Sequence, residues 1–182
     1  MNQFINNPFF WALISMFTLV GACSVVGSRK IGRHPAFGWI IVTILSLGRI
    51  ILVLPSIDQP RFFLNGFNAA IGIPIFVIGL CFALGPCFLI RPLNIAEEDM
   101  EFITKSFYKY TRNPIYLGEI LWCLGWSIIH GSIIGVALVP VWWSGFLFLI
   151  LIEEESLQRA IGTKYVDYKK KVRGRIIPGT PI

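Results

Sequence analysis

Residues 133–152 read IIGVALVPVWWSGFLFLILI, and the next three residues are Glu153, Glu154 and Glu155. The twenty residues before the triplet carry no charge, and about twenty apolar residues are what an α-helix needs to cross a bilayer. Strands of outer-membrane barrels alternate polar and apolar side chains, and this stretch does not. It therefore predicts a membrane-spanning helix that ends at the acidic triplet.

Four further apolar stretches of similar length accompany this one, at residues 9–26, 37–54, 67–90 and 115–130. Hydrophobic residues make up 55% of the 182-residue chain and charged residues only 14%, against about 25% charged in a soluble domain. This composition excludes an ordinary soluble protein and a disordered chain. We predict an all-α, polytopic membrane helix bundle of about five transmembrane helices, forming a single domain over residues 1–182.

The basic residues are distributed unevenly among the segments between these stretches. One side of the predicted bundle carries Arg29, Lys30, Arg33, Arg91, Lys105, Lys109, Arg112, Arg159, Lys164, Lys169, Lys170, Lys171, Arg173 and Arg175. Since positive charge is retained in the cytoplasm, the N-terminus is predicted outside and the C-terminus inside. Loop 91–114 and tail 153–182 are then cytoplasmic. The net charge of +6 thus indicates topology and a lipid bilayer as partner, with no nucleic acid expected. The predicted location is a bacterial inner membrane or the endoplasmic reticulum, as a multi-pass protein.

The stretch RNPIYLGE at residues 112–119 opens the predicted fourth span. Pro114 suits the first turn of a helix, and the amides of such a turn are able to hold an anion such as a carboxylate. A structural alternative is an interfacial anchor built from Arg112 and Tyr116.

The acidic triplet is a second unusual feature. Carboxylates at a helix C-terminus oppose the helix dipole, so we expect a cationic or hydroxyl-rich partner; the alternative partner is the basic tail. After the triplet we expect a helix that reaches Val172, with Leu157, Ile161, Tyr165 and Tyr168 on one face.

Glu119 is the third feature, about one turn inside the predicted membrane. Intramembrane carboxylates are costly and tend to be functional; the alternative is a pair with Arg91 or Arg112. Arg49 is predicted to lie too far away, because it is roughly 7 Å from the outer face and Glu119 roughly 6 Å from the inner face, at 1.5 Å per residue. We expect Arg49 to extend outward to the interface or to line an interior cavity.

Arg112-Asn113-Pro114-x-Tyr116-x-Gly118 resembles the signature of integral-membrane methyltransferases that use S-adenosylmethionine. This superfamily includes isoprenylcysteine carboxyl methyltransferases and phospholipid N-methyltransferases. The tail, from Glu153-Glu154 through Gly162-x-x-Tyr165-x-x-Tyr168 to Arg175-x-x-Pro178, is similar to the C-terminal pattern of the superfamily. The resemblance covers residues 108–178. It departs at Asn113, where many isoprenylcysteine enzymes have His, and in lacking a Gly-x-Gly pair in the third span.

The resemblance implies a cofactor pocket for S-adenosylmethionine at the cytoplasmic membrane face, and no metal. Its implied cofactor-binding residues are Arg112, Asn113, Pro114, Tyr116, Leu117, Gly118, Glu153, Glu154 and Tyr165. The implied catalytic residues are Arg112, Glu119 and Glu154, and Arg175 and Trp122 are the implied contacts of a lipophilic acceptor that enters laterally from the lipid.

The nature of the acceptor stays open at this point. An isoprenylcysteine carboxylate is already a nucleophile, whereas a phospholipid amine must first lose a proton, which Glu119 or Glu154 would accept. Glu119 favours an amine or lipid acceptor by a small margin, and so does the run Leu124-Gly125-Trp126-x-Ile128-x-His130, which is similar to the phospholipid N-methyltransferase branch. Two other classes remain as alternatives: an NADPH-dependent membrane sterol or steroid reductase, which has a similar Arg-x-Pro-x-Tyr turn, and a non-enzymatic membrane protein.

Overall fold

A computed structural model gives the fold and describes residues 5–27, 44, 46–64, 66–89 and 106–180. These residues form helices and turns and no β-strand. A helical segment covers residues 46–52 and a single 3₁₀ turn covers Phe107–Lys109. The five longer helices are α1 at Pro8–Gly27, α2 at Phe67–Leu89, α3 at Pro114–Ile129, α4 at Ile133–Ile161 and α5 at Thr163–Lys171. The all-α prediction is confirmed for the described residues.

Helices α1, α2 and α3 occupy the predicted stretches 9–26, 67–90 and 115–130 to within about one residue. Residues 37–43 and 45 of stretch 37–54, and residues 91–105 of loop 91–114, lie outside the described residues. The fifth prediction was too short, because α4 runs on from residue 152 to Ile161. Glutamate is a good helix former, so α4 continues through the acidic triplet.

Two of these helices are long and apolar enough to cross a membrane, Phe67–Pro86 within α2 and Ile133–Arg159 within α4. Only 17% of the apolar window in the first and 28% in the second is buried inside the protein. Large apolar side chains such as Val77 and Phe148 face outward. A core helix of a soluble protein would be mostly buried, so these exposed apolar surfaces indicate association with a membrane.

Helices α2 and α3 pack antiparallel at very close range, and glycines on both helices allow this approach. A Cβ added at Gly79 would collide with the backbone of Trp122, and one added at Gly118 would collide with the backbone of Ala83. Small residues permit such backbone contact between apolar helices. This packing fixes the distance between the two helices and leaves another face of α3 for other partners.

The end of the bundle where α3 passes into α4 is closed by a tight hairpin. Gly131 adopts a positive φ of 63°, and Ser132 caps α4 by accepting a hydrogen bond from the backbone N–H of Gly135 at 2.8 Å. Arg61 donates to the carbonyls of Val53 at 3.1 Å and of His130 at 2.8 Å. The carbonyl end of segment 46–52 therefore lies level with the hairpin.

We expect Gly79→Ala to destabilise the protein, because the new methyl group meets a backbone and not a flexible side chain. Overpacking of this kind costs about 1–3 kcal/mol, which is roughly 2–4 °C per kcal/mol for a chain of this size. Thermal unfolding in detergent measures the shift. Ala70→Val on the exposed face of the same helix is the control and should leave the melting temperature unchanged; an equal loss in both variants would contradict the packing account.

Candidate functional site

The buried carboxylate of Glu154 is the centre of a polar cluster at the end of α3 and α4 remote from the hairpin. Glu154 is 5% exposed. Its Oε1 accepts a hydrogen bond from Arg112 Nε at 2.8 Å, and its Oε2 lies 3.3 Å from Arg175 Nε. A carboxylate removed from water needs opposite charge and hydrogen bonds to offset its desolvation. Two arginines, each from a different segment of the chain, supply them.

Backbone carbonyls of the turn after α5 bind the residues that lead into α3. Arg112 Nη1 donates to the carbonyls of Val172 at 3.0 Å and Arg173 at 3.2 Å. Thr111 Oγ1 and Asn113 Nδ2 both donate to the carbonyl of Arg175, at 3.0 and 2.9 Å. Residues 111–113 and 172–175 are thereby held together as one unit around Glu154.

The local sequence explains how the chain returns to this site. Gly162, with a φ of 66°, ends α4 and lets α5 turn back, which favours glycine at this position. Tyr165 and Tyr168 are buried on the inner face of α5, and Tyr168 donates to the carbonyl of Tyr108 at 2.8 Å. Burial raises the pKa of both phenols above their ordinary value. The prediction of one unbroken helix to Val172 is therefore wrong, because Gly162 breaks it.

A second hydrogen bond links α3 to the acidic triplet. Tyr116 Oη donates to Glu153 Oε1 at 2.6 Å, and the ring of Tyr116 packs against Phe146 with centroids 5.5 Å apart. Glu153 and Glu154 thus both bind residues of the first turn of α3 or the residues before it. The argument from the helix dipole was wrong, because α4 continues past the triplet; what compensates the two carboxylates is the hydroxyl and the arginines of the site.

An open cleft of about 450 Å³ lies beside Glu154. Small-molecule pockets span roughly 300–1,000 Å³. The cleft is lined by Leu151, Glu154, Glu155, Gln158, Arg159 and Lys169. Acidic, basic and apolar groups therefore all face one space next to the cluster.

A separate ion pair lies deeper in the apolar core and overturns the prediction for Arg49. Arg49 is 1% exposed, and its Nη2 lies 2.5 Å from Glu119 Oε2. Its Nη1 donates to Cys123 Sγ at 3.2 Å, and its guanidinium stacks 4.8 Å from the ring of Trp122. Glu119 therefore does not pair with Arg112, and Arg49 does not extend outward to the interface.

The prediction failed because it placed each charged group at the membrane depth of its own backbone and ignored the length of the side chain. Since Arg61 bridges Val53 and His130, Arg49 and Glu119 are offset by seven residues along the helix axes, or about 10 Å. Side chains on a helix extend back toward its N-terminus, and for Arg49 this is the direction of Glu119. Two long side chains span the offset.

The family model for phospholipid methyltransferase matches residues 68–164, just over half of the chain. The chain belongs to the phospholipid methyltransferase family. The match includes the first turn of α3 and the acidic triplet, which are the two sides of the Glu154 cluster.

Curated relatives carry a related name. The protein-S-isoprenylcysteine O-methyltransferase of Schizosaccharomyces pombe is 34% identical over 77 residues, covering 42% of this chain and 33% of that protein. The Dictyostelium discoideum protein of the same name is 36% identical over 79 residues, covering 42% of this chain and 32% of that protein. Isoprenylcysteine O-methyltransferase A of Arabidopsis thaliana is 26% identical over 87% of this chain and 82% of its own length.

The chain thus spans about a third of the length of the first two relatives. No solved structure matches the chain.

The structure divides the predicted site residues of this phospholipid methyltransferase family member into three groups. The first surrounds the cluster and comprises Arg112, Asn113, Pro114, Tyr116, Glu153, Glu154, Tyr165 and Arg175. Leu117 and Gly118 form the second, in the core and against α2. Glu119 and Trp122 form the third, with Arg49.

Sequence reasoning missed Thr111, Phe146 and the carbonyls of residues 172–175 as parts of the site. The carbonyls carry no signal in the side-chain pattern. Arg49 did carry one, since it is the only charged residue of stretch 37–54, and a lone charge in an apolar stretch indicates a buried partner.

We expect Glu154→Gln to lower the melting temperature by about 10 °C. Removing one partner of a buried ion pair costs about 3–5 kcal/mol because the other charge stays buried, and 1 kcal/mol is worth about 2–4 °C here. Glu155→Gln is the matched control, since Glu155 makes an exposed pair with Arg159 worth about 1 kcal/mol or less. Equal shifts for the two variants would show that Glu154 is not the centre of the cluster.

Proposed function

We propose that this protein is an S-adenosylmethionine-dependent methyltransferase that acts on a lipid-borne acceptor. The observation that carries the proposal is the Glu154 cluster, in which residues 111–113, the acidic triplet and residues 172–175 meet. Membership of the phospholipid methyltransferase family and the names of the relatives support the chemistry.

The proposal includes an arrangement in the membrane. About five spans would place the N-terminus outside and the Glu154 cluster at the cytoplasmic face. The basic side chains at 159–175 lie at the same end of the helices as the cluster, and the hairpin at Gly131 lies at the other end. This separation agrees with the positive-inside rule and gives a water-soluble donor access from the cytoplasm.

The cleft beside Glu154 fits the donor by its chemistry. S-adenosylmethionine, when bound, supplies a methyl group on a sulfonium, together with an amino-acid tail, ribose hydroxyls and an adenine. Glu154 and Glu155 offer acceptors for amine and hydroxyl groups, Lys169 offers a cation for a carboxylate, and Leu151 offers an apolar wall. Partners for both the positive and the negative charge of the amino-acid tail thus line the same cleft.

The residues of the cluster bind and orient, which is the main requirement of a displacement reaction. Arg112 holds Glu154 in place, and Tyr116 does the same for Glu153. The side chain of Arg175 is 29% exposed, so it has one side open to solvent and we assign it to an anionic group of the acceptor. Trp122 is buried against Arg49, and we assign it to the support of that pair.

We further propose that the acceptor is a carboxylate carried on a lipophilic group. Among the described residues, Glu119 and Glu154 are engaged by arginines, Glu153 by Tyr116 and Glu155 by Arg159. An ammonium acceptor needs a base to remove its proton, whereas a carboxylate needs none. The pairing of Glu119 with Arg49 weakens one of the two reasons for favouring an amine; the other, the run at residues 124–130, is unaffected.

Donor binding tests the proposal directly. We expect S-adenosylhomocysteine at about one hundred times its dissociation constant to stabilise the purified protein by about 2.7 kcal/mol, or roughly 5–10 °C in melting temperature. NADPH should give no shift. Stabilisation by NADPH alone would contradict the proposal and favour the reductase alternative, and Glu154→Gln should abolish the shift while Glu155→Gln weakens it less.

The acceptor is tested by transfer of a radiolabelled methyl group. Reconstituted protein should label a farnesylated cysteine peptide with a free carboxylate, and should not label phosphatidylethanolamine vesicles. The same peptide with its carboxylate amidated is the control. Labelling of phosphatidylethanolamine and not of the peptide would overturn the carboxylate assignment and leave the methyltransferase assignment in place.

A further inference from the structure

Arg49 and Glu119 form a buried ion pair that the proposed chemistry does not use. The guanidinium is enclosed by Trp122 at 4.8 Å and Phe146 at 5.6 Å, and it donates to Glu119 at 2.5 Å and Cys123 at 3.2 Å. Apart from Ser46, at 3.4 Å, these partners lie on α3 and α4. The helical segment at residues 46–52 thus contributes one long polar side chain to the centre of the core.

Such a pair is expensive to keep. Desolvation of two buried charges offsets most of their attraction, and apolar residues of similar volume are often as stable or more stable. Stability alone is therefore a weak reason for an arginine at this position. The best-attested use of buried polar groups is to specify one alignment of helices among several that apolar packing would allow.

The geometry shows which alignment is specified. Tyr116, Glu119 and Cys123 are spaced by three and four residues, so they share one face of α3. Arg49 binds the second and third of these residues, and Tyr116 binds Glu153, whose neighbour Glu154 lines the cleft. Phe146 on α4 packs against both Tyr116 and the guanidinium of Arg49.

Directional bonds hold α3 near its hairpin end, where Asn68 Nδ2 of α2 donates to the carbonyl of Ile128 at 2.9 Å and Trp126 Nε1 donates to the carbonyl of Ile50 at 3.2 Å. Closer to the first turn of α3, α2 packs against it through Gly79, Gly118 and backbone atoms, and Arg49 adds the directional bonds to Glu119 and Cys123. Apolar cores tolerate changes of side chain as long as volume is conserved. A rotation of α3 about its own axis by less than about 100°, the angle between neighbouring residues, would move Tyr116 away from Glu153.

We infer that Arg49 is a positioning residue for methyl transfer: by binding Glu119 and Cys123 it fixes the rotation of α3 and so places Tyr116 against Glu153. The inference rests on the proposed function for its kinetic consequence, and on the structure alone for the placement of α3. Arg49 is not among the residues that line the cleft, and it acts through α3.

The test compares the variants Arg49→Met, Glu119→Met and the double variant in the full-length protein. Each single variant should be unstable, because one buried charge loses its partner. The double variant should recover a melting temperature within a few degrees of the unmodified protein. Its kcat for methyl transfer should nevertheless stay about 10- to 100-fold low, as expected for a displacement of about 1 Å at a reacting site, with KM changed much less.

Hydrogen exchange provides a measure that does not depend on activity. The amides of residues 115–120 should exchange faster in the double variant than in the unmodified protein, because the first turn of α3 has lost its fixed rotation. A double variant with normal kcat and normal exchange would overturn the inference. If the unmodified protein transfers no methyl group, the proposed function fails, and the exchange comparison still decides the role of Arg49.

Arg49→Lys keeps the test decisive if the double variant does not fold. Lysine retains the charge and should retain the melting temperature, but its compact ammonium cannot hold Glu119 and Cys123 in the planar geometry of a guanidinium. We expect kcat to fall at least about threefold with faster exchange at residues 115–120. Unchanged kcat and exchange in this stable variant would overturn the inference.

Discussion

The buried carboxylate of Glu154 holds together the end of the protein that carries the candidate site. Glu154 lies on a helix that is long and apolar enough to cross a membrane, and its charge has to be matched where it is buried. Arg112 comes from the start of α3 and Arg175 from the turn after α5. This one buried carboxylate therefore brings together three segments that are distant in sequence, and an open cleft lies beside the place where they meet.

Helix α3 and the residues just before it contribute one partner to each of two ion pairs at different depths. Glu119 binds Arg49 within the core, and Arg112, just before the helix, binds Glu154 at its edge. Tyr116 lies between these two levels and binds Glu153. The deep pair sets how α3 is rotated and the outer pair sets where it begins, so together they define the position of the first turn of α3 beside the Glu154 cluster.

Much of the fold follows from apolar stretches of about twenty residues, because burial of such stretches in lipid requires helices. Helices α1, α2 and α3 therefore lie where the sequence predicts them. The same reasoning predicted that Arg112 and Glu154 lie at one end of the bundle, since each lies next to the end of an apolar stretch. The length of α4, the break at Gly162 and the pairing of Arg49 with Glu119 were not predicted correctly. They depend on how far a helix continues into water, on a single positive φ and on the reach of two side chains, and hydropathy measures none of these.

The central claim is that Arg112 and Glu154 act as one interacting pair in holding the site together, and a double-mutant cycle measures that interaction. Melting free energies would be compared for the unmodified protein, Arg112→Gln, Glu154→Gln and the double variant. Residues in direct contact show interaction energies of about 0.5–3 kcal/mol, whereas independent sites add to within about 0.5 kcal/mol. The account predicts coupling of about 2 kcal/mol or more, with the double variant no less stable than the worse single variant. Additive losses would contradict it.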